Sequence, residues 1–239
     1  MFVVLILSAA LMFAIEYFKP ARRWPMRRSW WFRAMMLNGF QILSAYGAAS
    51  LLDQHFADAQ PLDNPLPGWA AMISGYLVLT FIYYWWHRAR HDIPFLWRTF
   101  HQVHHSPARL ELLTTFYKHP LEIMFNSLLS AAILFWLVGL NIAEATVVVG
   151  ITGLAELYYH WNIKTPRWTG LFLQRPEMHC VHHETGVHHH NYADLPLWDM
   201  LFGTYRNPHN ESFECGLGDT VESNLVDLLL TKDLSGAKR

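Results

Sequence analysis

The residues of this chain whose types and spacing bear on chemistry are histidines. HQVHH at 101–105 returns as HCVHH at 179–183, and HRARH at 87–91 stands just ahead of the first. Twelve of the 15 histidines fall in two windows, 87–119 and 179–190. His87 and His91 are four residues apart. His101, His104 and His105 stand at i, i+3 and i+4, and His179, His182 and His183 repeat that pattern. On a helix, each set projects from one face. Several neutral imidazoles on one stripe form a multidentate surface for a transition metal, because imidazole is its commonest nitrogen ligand. With His160 at the end of an apolar run there are nine candidate ligands: His87, His91, His101, His104, His105, His160, His179, His182 and His183. One tetrahedral zinc takes four. Nine nitrogens therefore point to two metals, each with several histidines and room for an exogenous ligand.

Other polar residues are less decisive. His188, His189 and His190 form a loop tripeptide that supplies one ligand or none, and His190, beside Asn191, is the choice if one binds. His119, in KHPLE, reads equally as a ligand or as a group behind the ligands. Glu156 lies one turn before His160 within an apolar run, where an ionised carboxylate is expensive. It either orients His160 or makes a polar contact between helices. Glu122 follows His119 and Pro120, and an acid at a helix start needs no special role. Cys180 and Cys215 define no disulfide framework, and Cys180 reads as a small buried thiol. His55 and His209 read as surface residues.

What positions these groups is a set of apolar stretches. Hydrophobic residues make up 52% of the 239-residue chain and charged residues 15%, below the roughly 25% of a soluble domain. Eleven Trp, 10 Tyr and 15 Phe suit a chain that meets a lipid–water boundary. Stretches near the roughly 20 residues of a transmembrane helix run over 1–18, between Arg33 and Asp53, and between Asp63 and His87. The run between Glu122 and Lys164 is about two spans long, with Gly139 and Asn141 near its middle, and reads as a helical hairpin. The expected fold is all-α, with four to five transmembrane helices and a cytoplasmic histidine-rich cap holding a dinuclear metal site. Residues 1–68 form the N-terminal helices, 69–206 the catalytic domain and 207–239 a tail that is polar, then amphipathic.

Charge sets the expected topology. Lys19, Arg22, Arg23, Arg27, Arg28 and Arg33 follow the first apolar stretch, whereas a cleaved signal peptide carries its positive charge ahead of the apolar core. An uncleaved anchor with an outside N-terminus follows, and the basic loop lies in the cytoplasm. The loop DQHFADAQPLDNPLPG has no Lys or Arg and suits the exterior. The third span then returns inward, and the hairpin leaves and comes back. Both copies of the trio, and His160, thereby reach the same membrane face.

HRARH, HQVHH, KHPLE, a histidine ending an apolar span, HCVHH and NYADLPLWDMLFGTY together resemble the fatty acid hydroxylase superfamily, which includes the sterol desaturases. The resemblance covers roughly 70–206. It implies an integral membrane enzyme whose cytoplasmic di-iron centre, held by these histidines, uses O2 to hydroxylate or desaturate a lipid. It also implies two iron ions, no organic cofactor bound by the chain, and a separate electron donor, a ferredoxin or a b-type cytochrome with its reductase. One departure stands out. Some members carry a further histidine four residues after the one ending the last span, where this chain has Lys164. His190 or His119 would supply that ligand, or the site has one fewer.

Other classes fit less well. A histidine-rich metal transporter would place ionisable groups within broken spans, and these spans are nearly free of them. A zinc-dependent membrane hydrolase would need a general-base carboxylate in a motif such as H-E-x-x-H, which the sequence lacks. A haem protein would not use so many imidazoles. The formal charge of −1, with no basic stripe, gives no reason to expect nucleic acid. Short loops lean towards a bacterial inner membrane. Substrate identity and oligomeric state are not legible.

Overall fold

The computed structural model describes residues 2–24, 28–56, 64–187, 189–209 and 213–236. His188 and residues 57–63 of the expected exterior loop lie outside that set. Among the described residues the fold is all-helical, with a lone bridge between Glu184 and Cys215. The long helices are α1 (Phe2–Phe18), α2 (Arg28–Phe56), α3 (Gly68–Asp92), α6 (Pro120–Ala131) and α7 (Ile142–His160). Short helices build the cap: α4 (Pro94–Leu96), α5 (Gln102–His105), α8 (Pro176–His182), α9 (Pro196–Phe202), α10 (Asp219–Ser223) and α11 (Leu225–Leu229).

The expected hairpin is present. A π-helical turn over Ala132–Leu137 prolongs α6, so the helical segment Pro120–Leu137 and then α7 are both long and apolar enough to cross a bilayer. Local chemistry sets their ends. Pro120 opens α6 in a position where its missing N–H costs nothing, and the His119 ring accepts the Leu121 N–H. Gly139 takes φ 76° in the turn, a conformation glycine adopts without a side-chain penalty. Asn141 then caps α7 reciprocally: its side chain accepts the Glu144 N–H, and Glu144 accepts the Asn141 N–H.

Helix α3 packs on α7, and α2 packs on α6. Ala71, Leu79, Ile133, Leu134, Leu140, Ala145 and Val148 fill the core between α3, the π-turn and α7. The outward faces stay apolar: Ile73, Leu77, Leu128, Val149 and Ile151 are exposed. A face of that kind is at home in hydrocarbon, not in water. His87, near the C-terminal end of α3, and His160, at the end of α7, meet around the same cluster of rings. The two helices thus deliver their last turns to one end of the bundle.

Helix α1 has 17 residues and is the shorter apolar helix. It is tied to the cap through Glu16, whose carboxylate accepts the N–H groups of Leu112 and Asn162. The tail, polar and then amphipathic in sequence, docks over its described residues. Leu225 and Leu228 share a buried cluster with Trp30, Ala34 and Leu37 of α2 and with Val103 of α5.

Candidate metal centre

The nine histidines come together. His87, His91, His101, His105 and His182 form one group and His104, His160, His179 and His183 another, each with donor atoms within 4.8 Å of one another. Eight of the rings are buried and His87 is half-buried. The grouping departs from the expectation that each trio serves as one surface. The i and i+4 members of a trio share a group, as His101 and His105 do, or His179 and His183. The i+3 members, His104 and His182, join the opposite group.

Local structure explains how the first trio is aimed. Ile93 breaks from α3 in an extended conformation, Pro94 starts α4, and a π-helical turn over Trp97–His101 leads into α5. Such turns collect at functional sites because they rotate the following side chains. The second trio starts on α8, which has Pro176 in its first turn, and ends at His183, the C-terminal cap of that helix.

Hydrogen bonds behind the rings fix which nitrogen faces inward. The Nδ1 of His87 lies 2.6 Å from the Tyr192 carbonyl, that of His160 2.8 Å from the Glu156 carbonyl, and that of His182 2.8 Å from the His190 carbonyl. A carbonyl only accepts, so each Nδ1 carries the proton and each neutral ring presents a bare Nε2. His101 Nδ1 lies 3.1 Å from Glu122 Oε1, which also accepts from Arg90. The Nε2 atoms meet in the middle: His87 with His101 at 2.9 Å, His105 with His182 at 3.1 Å, His104 with His160 at 3.3 Å, and His160 with His179 at 3.0 Å. Ring nitrogens so close need a proton or a cation between them. Two nitrogens about 2.1 Å from one ion, at right angles, are about 3.0 Å apart. The donor set fits two metal ions.

Electrostatics agree. The pKa values of His101, His104, His105 and His179 are pushed well below 6.5, first by burial and then by neighbouring histidines or Arg90. Neutral imidazole is the ligand form.

Three further candidates are placed as follows. The His190 ring belongs to neither group, and the residue contributes its backbone carbonyl, which takes the Nδ1–H of His182. His119 has both ring nitrogens engaged by the chain: Nδ1 accepts from Leu121, and Nε2 donates to the Leu229 carbonyl at 3.1 Å. It is a helix cap and a tether for the tail. Glu156 orients His160 through its backbone, while its carboxylate pairs with Lys118 at 2.9 Å. Lys164 is exposed, so the second group reaches four histidines without that position. His189 and His209 are exposed, as is expected of a solvated run and a surface residue.

Two supporting groups were not legible. Glu122 is fully buried and joins Arg90 to His101. A charge set inside HRARH and an acid entering an apolar span were the available signals. Asn191 and Asp199 tie down the loop that carries Tyr192. Asn191, at φ 56°, donates to the carbonyls of Met178 and Arg206. Asp199 accepts from the Tyr192 and Ala193 N–H groups and from the Thr204 hydroxyl.

Comparison with known proteins agrees with this geometry. Ornithine lipid hydroxylase OlsE of Rhizobium tropici is 31% identical over 147 residues, covering 59% of this chain and 43% of the relative. Alkylglycerol monooxygenase of Xenopus tropicalis is 29% identical over 173 residues, 68% of this chain and 35% of the relative. Very-long-chain aldehyde decarbonylase GL1-11 of Oryza sativa subsp. indica is 34% identical over 163 residues, 60% of this chain and 58% of the relative. The matched region thus spans less than two thirds of the length of each of these relatives. No solved structure matches the chain significantly. The fatty acid hydroxylase family model matches residues 72–204, a span that holds all nine clustered histidines and more than half of the sequence, and the chain belongs to that family.

Proposed function

We propose that this chain is a membrane-bound di-iron oxygenase that hydroxylates or desaturates a C–H bond of a lipid, using O2 and two external electrons. The observation that carries the reading is the pair of adjoining histidine groups with their Nε2 atoms turned inward. His87, His91, His101, His105 and His182 hold one iron, and His104, His160, His179 and His183 hold the other. Iron supplies redox chemistry with O2 that no side chain has and that zinc, without accessible redox states, does not offer. The chain's own part is to hold the rings neutral, fix their tautomers through the carbonyls of Tyr192, Glu156 and His190, and exclude water.

Hydroxylation places one oxygen atom in the substrate and releases the other as water, consuming two electrons and two protons. A ferredoxin, or a b-type cytochrome with its reductase, supplies the electrons from outside the chain. The relatives named for lipid hydroxylation and alkylglycerol oxygenation favour a lipid substrate. The catalytic unit is 69–206, preceded by the helices of 1–68 and braced by the tail 207–239. In this reading the chain has four to five spans, the basic residues of 19–33 are cytoplasmic, and the metals lie at the inner face of a bacterial inner membrane.

The test is mass spectrometry of total lipids from cells with and without the chain, grown under isotopically labelled O2. A product that has gained one labelled oxygen, or lost two hydrogens, is expected. Identical lipid profiles from cells that hold iron-loaded protein would refute the reading.

A further inference from the structure

Helix α9 belongs to the part of the chain expected to lie outside the bilayer, yet it packs on α3 at the depth of the spans. Gly68, which opens α3, faces Glu144 in the first turn of α7. His87 of α3 reaches the adjoining ring groups that also hold His160, the last residue of α7. The stretch from Gly68 to His87 therefore runs beside the whole of α7, a helix long and apolar enough to cross a bilayer. At 1.5 Å per residue, Thr80 stands about 18 Å along a path of about 28 Å, within the cytoplasmic half. The Trp198 indole of α9 donates to Thr80 Oγ1 at 3.0 Å, a partner that an N–H held in hydrocarbon needs. The Trp198 ring lies 5.1 Å from Phe81, and the Phe202 ring 4.8 Å from Trp85. Ile73, Leu77, Phe81 and Trp85, one turn apart, form the outward apolar stripe of α3. Helix α9 extends that stripe sideways.

Leu201 of α9 is 62% exposed, and Trp168 and Phe172, in and just after the 3₁₀ turn Arg167–Leu171, are each 65% exposed. The turn packs on α9, and Tyr205 donates to its Gly170 carbonyl at 3.1 Å. The stretch around it is held in place: Glu177 accepts the Thr165 N–H and hydroxyl, and Arg175 donates to the Thr165 carbonyl. Fixed apolar groups turned outward are costly in water. Lys164 and Arg167 are exposed beside them, and the run 163–173 contains no acid. We propose that α9 and this turn are seated in the cytoplasmic leaflet, their apolar side chains among acyl chains and Lys164 and Arg167 at anionic headgroups. The inference rests on the reading of α3 and α7 as spans, not on the di-iron chemistry. Seating fixes the depth of the metal centre. Asp199 of α9 accepts the Tyr192 N–H, and the Tyr192 carbonyl orients His87. The turn leads into α8, which carries His179 and His182.

The rival occupants of this face are water, a second copy of the chain and a partner protein, and fluorescence quenching separates them. Cys180 and Cys215 are buried, so a bimane label attaches to the cysteine introduced by Phe172→Cys, Leu201→Cys or Thr220→Cys. Thr220, exposed on α10 beside the Arg33–Glu222 ion pair, is the aqueous reference. The full-length, iron-loaded protein is held in nanodiscs of phosphatidylglycerol and phosphatidylcholine, with or without bromine near the glycerol end of the acyl chains. Aqueous iodide is the opposing quencher. Seating about 5–10 Å into the leaflet predicts bromolipid quenching at Phe172 and Leu201 at least about threefold stronger than at Thr220, and iodide quenching at least about threefold weaker. Iodide quenching as strong as at Thr220 puts the face in water and overturns the proposal. Labels that neither quencher reaches are covered by protein, which overturns it as well. A further label at Leu77→Cys, on the lipid stripe of α3, tests the span apart from the seat. Lipid quenching at Leu77 alone removes the seat and keeps the span, whereas none at Leu77, Phe172 or Leu201 removes both. Labelled-oxygen incorporation by a protein whose face proves unseated keeps the oxygenase reading and removes the seat alone.

Discussion

The Nε2 atoms of His105 and His182 stand 3.1 Å apart, although 77 residues separate them. One is the last histidine of the first trio and the other the middle histidine of the second. The exchange is reciprocal, since His104, the middle of the first trio, joins His179 and His183. Helical geometry explains it. Residues i and i+4 differ by about 40° around the axis, whereas i+3 and i+4 differ by about 100°. An i, i+4 pair therefore reaches one ion while the i+3 ring turns to its neighbour. Each trio laces the two groups together, which is a physical reason for the motif to occur twice.

This lacing makes two substitutions informative. His104→Ala removes a ring from the group that is otherwise built by α7 and α8. His182→Ala removes one from the group built by α3, the π-turn and α5. Each variant is expected to insert normally, lose iron from one group and lose turnover. Elemental analysis beside a lipid-oxidation assay reads both. Full iron content with wild-type turnover in either variant would show that its ring is not a ligand.

Glu122 is expected to matter for folding as much as for the metal. Its carboxylate is the buried partner of Arg90, and breaking a buried pair from one side costs about 3–5 kcal/mol. Glu122→Ala should lose that much against denaturant, whereas Glu122→Gln keeps an acceptor for Arg90 and should lose less. Equal stability of Glu122→Ala and wild type would remove Glu122 from its supporting role.

The buried rings also predict a pH dependence of the metal-free protein. His101, His104, His105 and His179 have folded pKa values pushed below the usual 6.5. Below that value the unfolded chain binds protons that the folded chain refuses, so stability falls as pH falls. Above it both states are neutral at these rings and their contribution is flat. Thermal unfolding of the metal-free protein should show a midpoint that drops on acidification from neutral pH with a slope of more than one proton. A flat profile there would contradict the burial of neutral imidazoles.

Much of this site was legible in the sequence because histidine spacing is local and helical periodicity turns spacing into direction. The hairpin after Glu122 was legible for the same reason, through its length and the Gly139–Asn141 break. What could not be read was the division of each trio between two groups, which depends on the relative rotation of α3, α5, α7 and α8. The roles of His190 and Glu156 were hidden because both act through backbone carbonyls, which leave no trace in residue type. His119 reads from its neighbours equally as a ligand or as a group behind the ligands, and tertiary contact with Leu229 of the tail commits its Nε2 elsewhere. Nothing in local pattern could announce that contact.

Gly216 offers a test of how the segment after residue 212 braces the cap. Its φ is 94°, and an added Cβ would lie 2.5 Å from the Pro107 carbonyl oxygen, just beyond the first trio. Its N–H also donates to the His183 carbonyl at 3.0 Å. Gly216→Ala should cost at least about 2 kcal/mol through backbone strain and speed the loss of iron to a chelator. Unchanged unfolding and chelation rates would mean that this segment does not brace the site.

Whether these histidines grip two irons is read most directly by metal content with X-ray absorption on anaerobically purified, reconstituted protein. Two irons per chain in a nitrogen-dominated shell, with one iron left after either His104→Ala or His182→Ala, is the predicted result. Zinc retained with full lipid-oxidising activity, or fewer than one iron per chain after reconstitution, would contradict it.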